Sequence, residues 1–231
     1  MAHLNSNTIP HLIPVVTIDG PSGVGKGTIA QYLVCKTGFH LLDSGAIYRA
    51  LAFGAVKNKL TLDDIPGLVK LAEHLPVEFQ ATQILYDGQD VTAKVRTEEV
   101  AGVASQVAVI PEVRAALLQR QKAFAQVPGL VADGRDMGSV VFPNAQVKVF
   151  LMARAEVRAE RRVKQLKNQG VDANIARITQ DIKERDDRDL NRSASPLKPA
   201  HDAVIIDTSE LDVNQVCQQV ERLLWDKGVL E

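Results

Sequence analysis

The stretch Gly20-Pro21-Ser22-Gly23-Val24-Gly25-Lys26-Gly27-Thr28 constrains the fold of this chain more than any other. An apolar run, Val15–Asp19, leads into it, and an amphipathic stretch, Lys26–Thr37, leads out. Strand, glycine-rich turn and helix in that order can form a cradle for phosphate. The glycines let successive backbone N–H groups turn inward without Cβ clashes, and the helix behind them presents the positive end of its dipole. Lys26 adds a mobile point charge suited to the outer phosphates of a nucleotide.

Four further apolar runs read as buried strands: His40–Asp43, Leu130–Asp133, Val147–Met152 and Ala203–Asp207. Four of the five runs end in aspartate, where a parallel sheet delivers its chain to the ligand-binding edge. Between them lie amphipathic stretches, clearest at Ala46–Lys57, Glu98–Val107, Val113–Ala125, Ala155–Asn168, Ala173–Asp187 and Val213–Trp225. Strands alternating with helices imply an α/β fold with a mainly parallel sheet. Aromatic residues make up only 4% of the chain, so Val, Ile, Leu and Ala must fill that core. At 231 residues, one α/β domain with insertions accounts for the whole length.

One stretch breaks the alternation. From Thr61 to Arg96 the chain suggests a short helix, then strands at Val77–Ala81 and Ile84–Gln89 with the turn-forming pair Asp87-Gly88. This reads as a small antiparallel insertion on one edge, either a surface decoration or part of the ligand site. The formal net charge of −1 points to neither nucleic acid nor an acidic membrane as partner. Two cysteines without CxxC spacing, Cys35 and Cys217, argue against a zinc site or a disulfide framework. No apolar run reaches the roughly 20 residues of a membrane span, and the first 14 residues lack the pattern of a signal peptide. A cytoplasmic location is the expectation.

The loop departs from the general P-loop in one respect. Gly27 stands where Ser or Thr ordinarily follows the lysine, and the hydroxyl comes one residue later, at Thr28. A GKGT ending is similar to that of the nucleoside-monophosphate kinases. Further segments carry the resemblance: LLDSGAIYR (Leu41–Arg49), ASQVA (Ala104–Ala108), ADGRDMG (Ala132–Gly138) and KERDDRDLNR (Lys183–Arg192). Together, and in this order, they resemble the bacterial cytidylate kinases from Val15 to about Asp207.

The resemblance implies a P-loop three-layer fold built on a five-stranded parallel sheet. It implies one domain across 1–231, with an acceptor-side insertion at about 61–110 and an arginine-rich lid at about 154–185. The implied reaction moves the γ-phosphoryl group of ATP to CMP or dCMP, with Mg²⁺ on the donor phosphates. Gly20, Pro21, Ser22, Gly23, Val24, Gly25, Lys26, Gly27 and Thr28 would hold ATP. Lys26, Arg158 and Arg192 would act on the transferred or acceptor phosphate. Thr28 and Asp133 are the candidates for contact with the metal, directly or through water. Monomers are usual in such a family, and small-molecule nucleotides, with no nucleic acid or membrane, are the partners implied.

On the acceptor side the resemblance points to Ser44, Tyr48, Arg49, Ser105, Arg114, Arg135, Asp136, Arg185, Asp189 and Arg192. Asp136 would read the base, because a carboxylate accepts from the exocyclic amine of cytosine and is repelled by the oxygen of uracil. Ser105 and Arg114 would complete the base contacts. Arg185 and Asp189 match the ribose, and Arg49, Arg135 and Arg192 the acceptor phosphate. Arg185, Asp189 and Arg192 are spaced to share one helical face, although ion pairing on a solvated helix would give the same spacing. Arg154, Arg158, Arg161 and Arg162 form a further basic set, three of which (Arg158, Arg161, Arg162) match the lid.

An acceptor phosphate is already anionic at neutral pH, so catalysis needs alignment and charge neutralisation rather than a general base. The five histidines, His3, His11, His40, His74 and His201, are scattered accordingly. A kinase acting on a small alcohol is the nearest rival; it would need a carboxylate base, for which Asp43 or Asp136 could serve. A nucleotide-dependent switch would need a guanine-reading Asn-Lys-x-Asp, and Asn58-Lys59-Leu60-Thr61 lacks the aspartate.

Overall fold

The computed structural model describes residues 13–80, 83–168 and 170–230. Strand β1 (Val15–Asp19) runs into helix α1 (Lys26–Thr37), followed by β2 (His40–Asp43) and α2 (Ser44–Lys57). Next come α3 (Ile65–Glu73), β3 (Val77–Phe79), β4 (Ile84–Tyr86), β5 (Gln89–Asp90), α4 (Thr92–Val95), α5 (Glu98–Val107) and α6 (Pro111–Lys122). The chain returns through β6 (Leu130–Gly134), a π-helical turn (Met137–Val141) and β7 (Val147–Met152). It ends with α7 (Ala155–Asn168), α8 (Ile175–Asn191), β8 (Val204–Asp207) and α9 (Val213–Asp226).

Five strands form one parallel sheet in the order β2-β6-β1-β7-β8. All five residues of β1 are buried, as expected of a central strand covered on both faces. Alternate residues supply two cores, because side chains on a strand point to opposite faces. Val15, Leu130 and Ala132 join Leu42, Ile47, Leu51 and Leu117 on one face. Val16, Ile18 and Val131 join Ile29, Leu33, Val220 and Leu224 on the other. The α/β class and the parallel sheet expected from the strand–helix alternation are thus observed. Among the described residues no single helix is long and apolar enough to cross a membrane.

Element ends differ from the periodicity in physically simple ways. Helix α6 starts at Pro111 rather than Val113, since proline suits the first helical turn, whose N–H groups have no helical partner. Helix α2 starts at Ser44, directly after β2, because the Asp43 carboxylate caps it by accepting from the Ala46 N–H at 2.9 Å. Helix α8 continues past Asp187 to Asn191, with Arg192 as its extended C-cap. In the insertion, Asp87 and Gly88 both have positive φ, 50° and 73°, as a two-residue hairpin turn requires. That turn joins β4 to β5, so it divides the single strand expected over Ile84–Gln89 and gives a three-stranded sheet. Ala81, the expected end of the preceding strand, lies outside the described residues.

The insertion is seated on α2. Tyr86 is buried and packs edge-on against Phe53, with ring centroids 5.3 Å apart. A Cβ on Gly54 would lie 2.4 Å from the Tyr86 hydroxyl and 3.0 Å from two of its ring carbons. Alanine ordinarily favours a helix interior over glycine by about 1 kcal/mol, whereas overpacking costs about 1–3 kcal/mol. Gly54→Ala is therefore expected to lower stability, read as a fall in thermal midpoint.

Candidate active site

The loop between β1 and α1 forms the expected cradle. Gly20, Gly23 and Gly25 all have positive φ, and Gly25 serves as N-cap of α1 with no side chain bonded to the helix start. By contrast α2, α3, α5, α8 and α9 are capped by the side chains of Asp43, Asp64, Thr97, Asn174 and Asp212. The first N–H groups of α1 therefore face the loop, where a phosphate can meet them. Lys26 is buried here, its Nζ donating to the Pro21 carbonyl at 2.9 Å and standing 4.0 Å from Asp133. Burial pushes the Lys26 ammonium well down, Arg135 adds to this, and Asp133 opposes it. Burial likewise pushes the Asp133 carboxyl up, with Lys26 opposing.

A cleft of about 480 Å³ extends from Gly23, Gly25 and Thr28 to Arg161, Thr208 and Val216. This volume lies within the range of small-molecule sites. The basic set after β7 divides its tasks. Arg158 is buried and donates to the Ala153 carbonyl and to the Ser22 carbonyl of the cradle, both at 3.0 Å, while its fork holds Asp186 on α8 at 3.1 and 2.5 Å. Arg161 holds the Thr208 carbonyl at 2.6 Å and its hydroxyl at 3.1 Å. Arg162 reaches across to Glu98 at the start of α5, and exposed Arg154 pairs with Glu210 at 2.5 Å. Of the four, Arg158 is the one bonded to the cradle backbone.

Nine of the ten expected acceptor residues line a second, smaller hollow: Ser44, Tyr48, Ser105, Arg114, Arg135, Asp136, Arg185, Asp189 and Arg192. The tenth, Arg49, donates to the Val95 carbonyl at 3.4 Å at its margin. Asp136 is buried, pairs with Arg114, and stands 3.9 Å from Arg192. Asp189 accepts from Arg135 Nε at 2.9 Å and lies 3.8 Å from Arg192. Arg192 thus stands between the two carboxylates, its Nε donating to the Ser195 carbonyl at 2.6 Å. Burial pushes Arg185 down to about 10, and the neighbouring charge of Arg135 contributes. Tyr48 is raised to about 12 by burial.

Buried polar atoms in folded proteins nearly always have hydrogen-bond partners. Among the described residues six buried side-chain atoms lack one, and five belong to this hollow: Tyr48 Oη, Ser105 Oγ, Arg114 Nε, Arg185 Nε and Arg192 Nη2. All five carry N–H or O–H groups that a ligand rich in acceptors would satisfy. The site is built for a polar, anionic molecule.

Some participants escaped the sequence reading. Gln121, buried on α6, accepts from Ser44 Oγ at 2.7 Å, and nothing in its local sequence signals that role. Asp19 had a signal, since it ends a strand at the ligand edge. Its two carboxylate oxygens accept from the Met137 and Gly138 N–H groups, each at 2.8 Å. Burial pushes Asp19 up to about 6, while the two N–H bonds pull down, Asp136 adds and Lys26 subtracts. Because the folded value lies above that of an unfolded aspartate, its favourable linkage is complete below about pH 4 and is lost as pH rises through 6. That loss is about 3 kcal/mol in sum. Denaturant unfolding from pH 4 to pH 7 should show this fall in the natural protein and a smaller one in Asp19→Asn.

A parallel sheet that presents a lysine-bearing glycine loop and a bare helix start at its C-terminal edge, facing a hollow rich in arginine, defines a P-loop phosphotransferase. The family described as cytidylate kinase matches residues 16–225. The chain is 54% identical over 212 residues to the cytidylate kinase of Aeromonas hydrophila, covering 90% of this chain and 92% of that protein. It is 53% identical over 213 residues to that of Shewanella denitrificans (90% and 94% covered) and 52% identical over 219 residues to that of Klebsiella pneumoniae (93% and 96% covered). The chain belongs to the cytidylate kinase family.

Proposed function

We propose that the chain transfers the γ-phosphoryl group of ATP to CMP or dCMP, giving CDP or dCDP, with the named residues in the following roles. The convergence of unpartnered buried donors on a hollow that also holds Asp136 and Asp189 is the observation that carries this reading. The cradle and Lys26 hold the outer phosphates of ATP, whose base enters the 480 Å³ cleft beside Thr208. Asp136 accepts from the cytosine amine, with Ser105 and Arg114 on the rest of the base edge. Arg185 and Asp189 take the ribose, and Arg49, Arg135 and Arg192 the acceptor phosphate. Arginine forks suit that phosphate better than point charges. Arg158 links the cradle to α8 and stands where charge develops on the transferred group.

Magnesium bound with ATP would supply charge neutralisation on the donor phosphates, with Asp133 and Thr28 the residues placed to contact it, directly or through water. Among the described residues no group of three or more His, Cys, Asp or Glu is gathered as a metal-binding cluster. Asp133 fits a contact to it, because a carboxylate pushed towards neutrality by burial gains from a nearby dication. Thr28, which lines the donor cleft, would be the other protein contact, directly or through water.

A kinase for small alcohols would require a free carboxylate base. Asp43 is engaged as the cap of α2 and Asp136 with Arg114, which favours the phosphate acceptor. Initial rates with ATP across nucleoside monophosphates and small alcohols test the assignment. CMP and dCMP should be the best acceptors, and absence of turnover with CMP would overturn it.

The whole chain acts as one kinase domain, with the acceptor-side insertion at about 61–110 and the lid at about 154–185. The acceptor hollow measures about 50 Å³, far below the roughly 300–1,000 Å³ of ligand pockets. The lid helices and the insertion, joined by Arg162 and Glu98, therefore have to part to admit CMP. Small-angle scattering should change between the free protein and the protein with CMP and an ATP analogue; identical profiles would count against this. The chain acts as a cytoplasmic monomer on nucleotides; its formal net charge of −1 offers no overall basic surface for nucleic acid or an acidic membrane. Sedimentation at micromolar concentration tests the monomer.

A further inference from the structure

We propose that Asp19 is a positioning residue for acceptor recognition: from the end of β1 its carboxylate holds the turn behind Asp136 and so sets where Asp136 meets the acceptor base. The inference rests on the reading of Asp136 as the group that contacts that base.

Asp136 opens the π-helical turn at Met137–Val141, and its carbonyl accepts from the Val140 and Val141 N–H groups at 2.9 and 3.2 Å. No side chain of its own segment caps that turn. The two N–H groups that follow Asp136 are bonded instead to Asp19, 118 and 119 residues away in the chain. A carboxylate accepting from two successive N–H groups at 2.8 Å is a charge-assisted, two-point clamp. The backbone is also pressed against β1 at this point. A Cβ on Gly138 would lie 2.7 Å from Thr17 Oγ1 and 3.2 Å from Lys148 Cδ. Asp19 is buried, so water does not compete for its oxygens.

The residue after Asp19 is Gly20, where the donor cradle begins. One strand end thus anchors both substrates, the donor through its backbone and the acceptor through this carboxylate. Arg114 and Arg192 meet Asp136 from α6 and the end of α8, so the clamp on its backbone decides whether all three converge.

Steady-state kinetics with CMP and UMP, at saturating and varied ATP, test the role. In Asp19→Asn an amide N–H₂ faces a backbone N–H and the turn shifts. The KM for CMP should rise and the CMP-over-UMP ratio of kcat/KM should fall, each by about ten-fold or more, since small misplacements are expensive in a preorganised site. The KM for ATP should stay within about two-fold, which separates this role from one in the cradle. Gly138→Ala displaces the same turn without removing a charge and should show the same pattern. Adding Thr17→Ala, which removes the nearest obstructing atom, should return part of the CMP preference.

A fall with all acceptors alike, together with a raised KM for ATP, would overturn the inference. So would an unchanged CMP-over-UMP ratio in Gly138→Ala, which carries the test should thermal melts show that Asp19→Asn does not fold. Asp136→Ala is measured alongside. If it loses the base preference while the Asp19 and Gly138 variants keep theirs, only this inference fails; if it keeps the preference, the reading of Asp136 itself fails.

Discussion

Lys26→Ala is expected to lower kcat about 10²- to 10³-fold with CMP, dCMP and UMP alike, the usual effect of deleting one preorganised charge from a transfer site. The expectation follows from where Lys26 sits. It is buried in the loop, bonded to the Pro21 carbonyl, with its remaining ammonium protons free for phosphate oxygens. No general base has to be replaced, because the acceptor oxygen is already anionic; what is lost is neutralisation of the charge on the transferred group. That loss is blind to the acceptor base. The fold should survive, because Asp133, already pushed towards its neutral form by burial, can take up a proton when its partner is removed. Initial rates with the three acceptors decide the matter. A loss confined to one acceptor would show that Lys26 does not serve the donor.

Asp136→Ala should act in the opposite way. The kcat/KM for CMP should fall about 10²- to 10³-fold, within the roughly 2–5 kcal/mol that truncating one partner of a buried, charged hydrogen bond costs. UMP should lose far less, and the KM for ATP should barely move. Part of the effect is structural, since Arg114 and Arg192 are left as buried charges without their carboxylate. Breaking such a pair typically costs about 3–5 kcal/mol, so thermal melts must accompany the kinetics. Asp136→Asn separates the two effects. Its amide retains the shape and can donate to the uracil O4 as well as accept from the cytosine amine, so UMP should gain relative to CMP. Unchanged discrimination in both variants would remove Asp136 from base recognition.

How far the site was legible depended on whether its parts are local. Four of the proposed acceptor residues, Ser44, Tyr48, Arg135 and Asp136, lie in segments whose motifs sit directly past strand ends, so the sheet carries them to the ligand edge. The partners of the arginines on α7 were not legible. Arg158, Arg161 and Arg162 lie within five positions on one helix, yet they bond to Ser22, Thr208 and Glu98 in three distant segments of the chain. Gln121 gives no signal because a buried glutamine in a helix becomes functional only through the side chain placed opposite it, here Ser44. The insertion hairpin was half legible: Asp87-Gly88 specifies a turn locally, but which strands it joins is decided by the pairing of Tyr86 with Gln89 and Leu85 with Asp90.

The sequence by itself determined the cradle, since strand, glycine loop and helix follow from backbone preferences, side-chain periodicity and dipole direction over some twenty consecutive residues. It also determined the chemistry on offer, the arginines and aspartates of the downstream motifs. Only the tertiary structure decided the strand order β2-β6-β1-β7-β8, and with it that β1 lies against β6. That adjacency brings Asp19 to Met137 and Gly138 and stands Lys26 beside Asp133. The physical reason is that such pairs are more than a hundred residues apart. Local preferences do not reach that far, and contacts of that kind form only when two faces of the sheet are buried together.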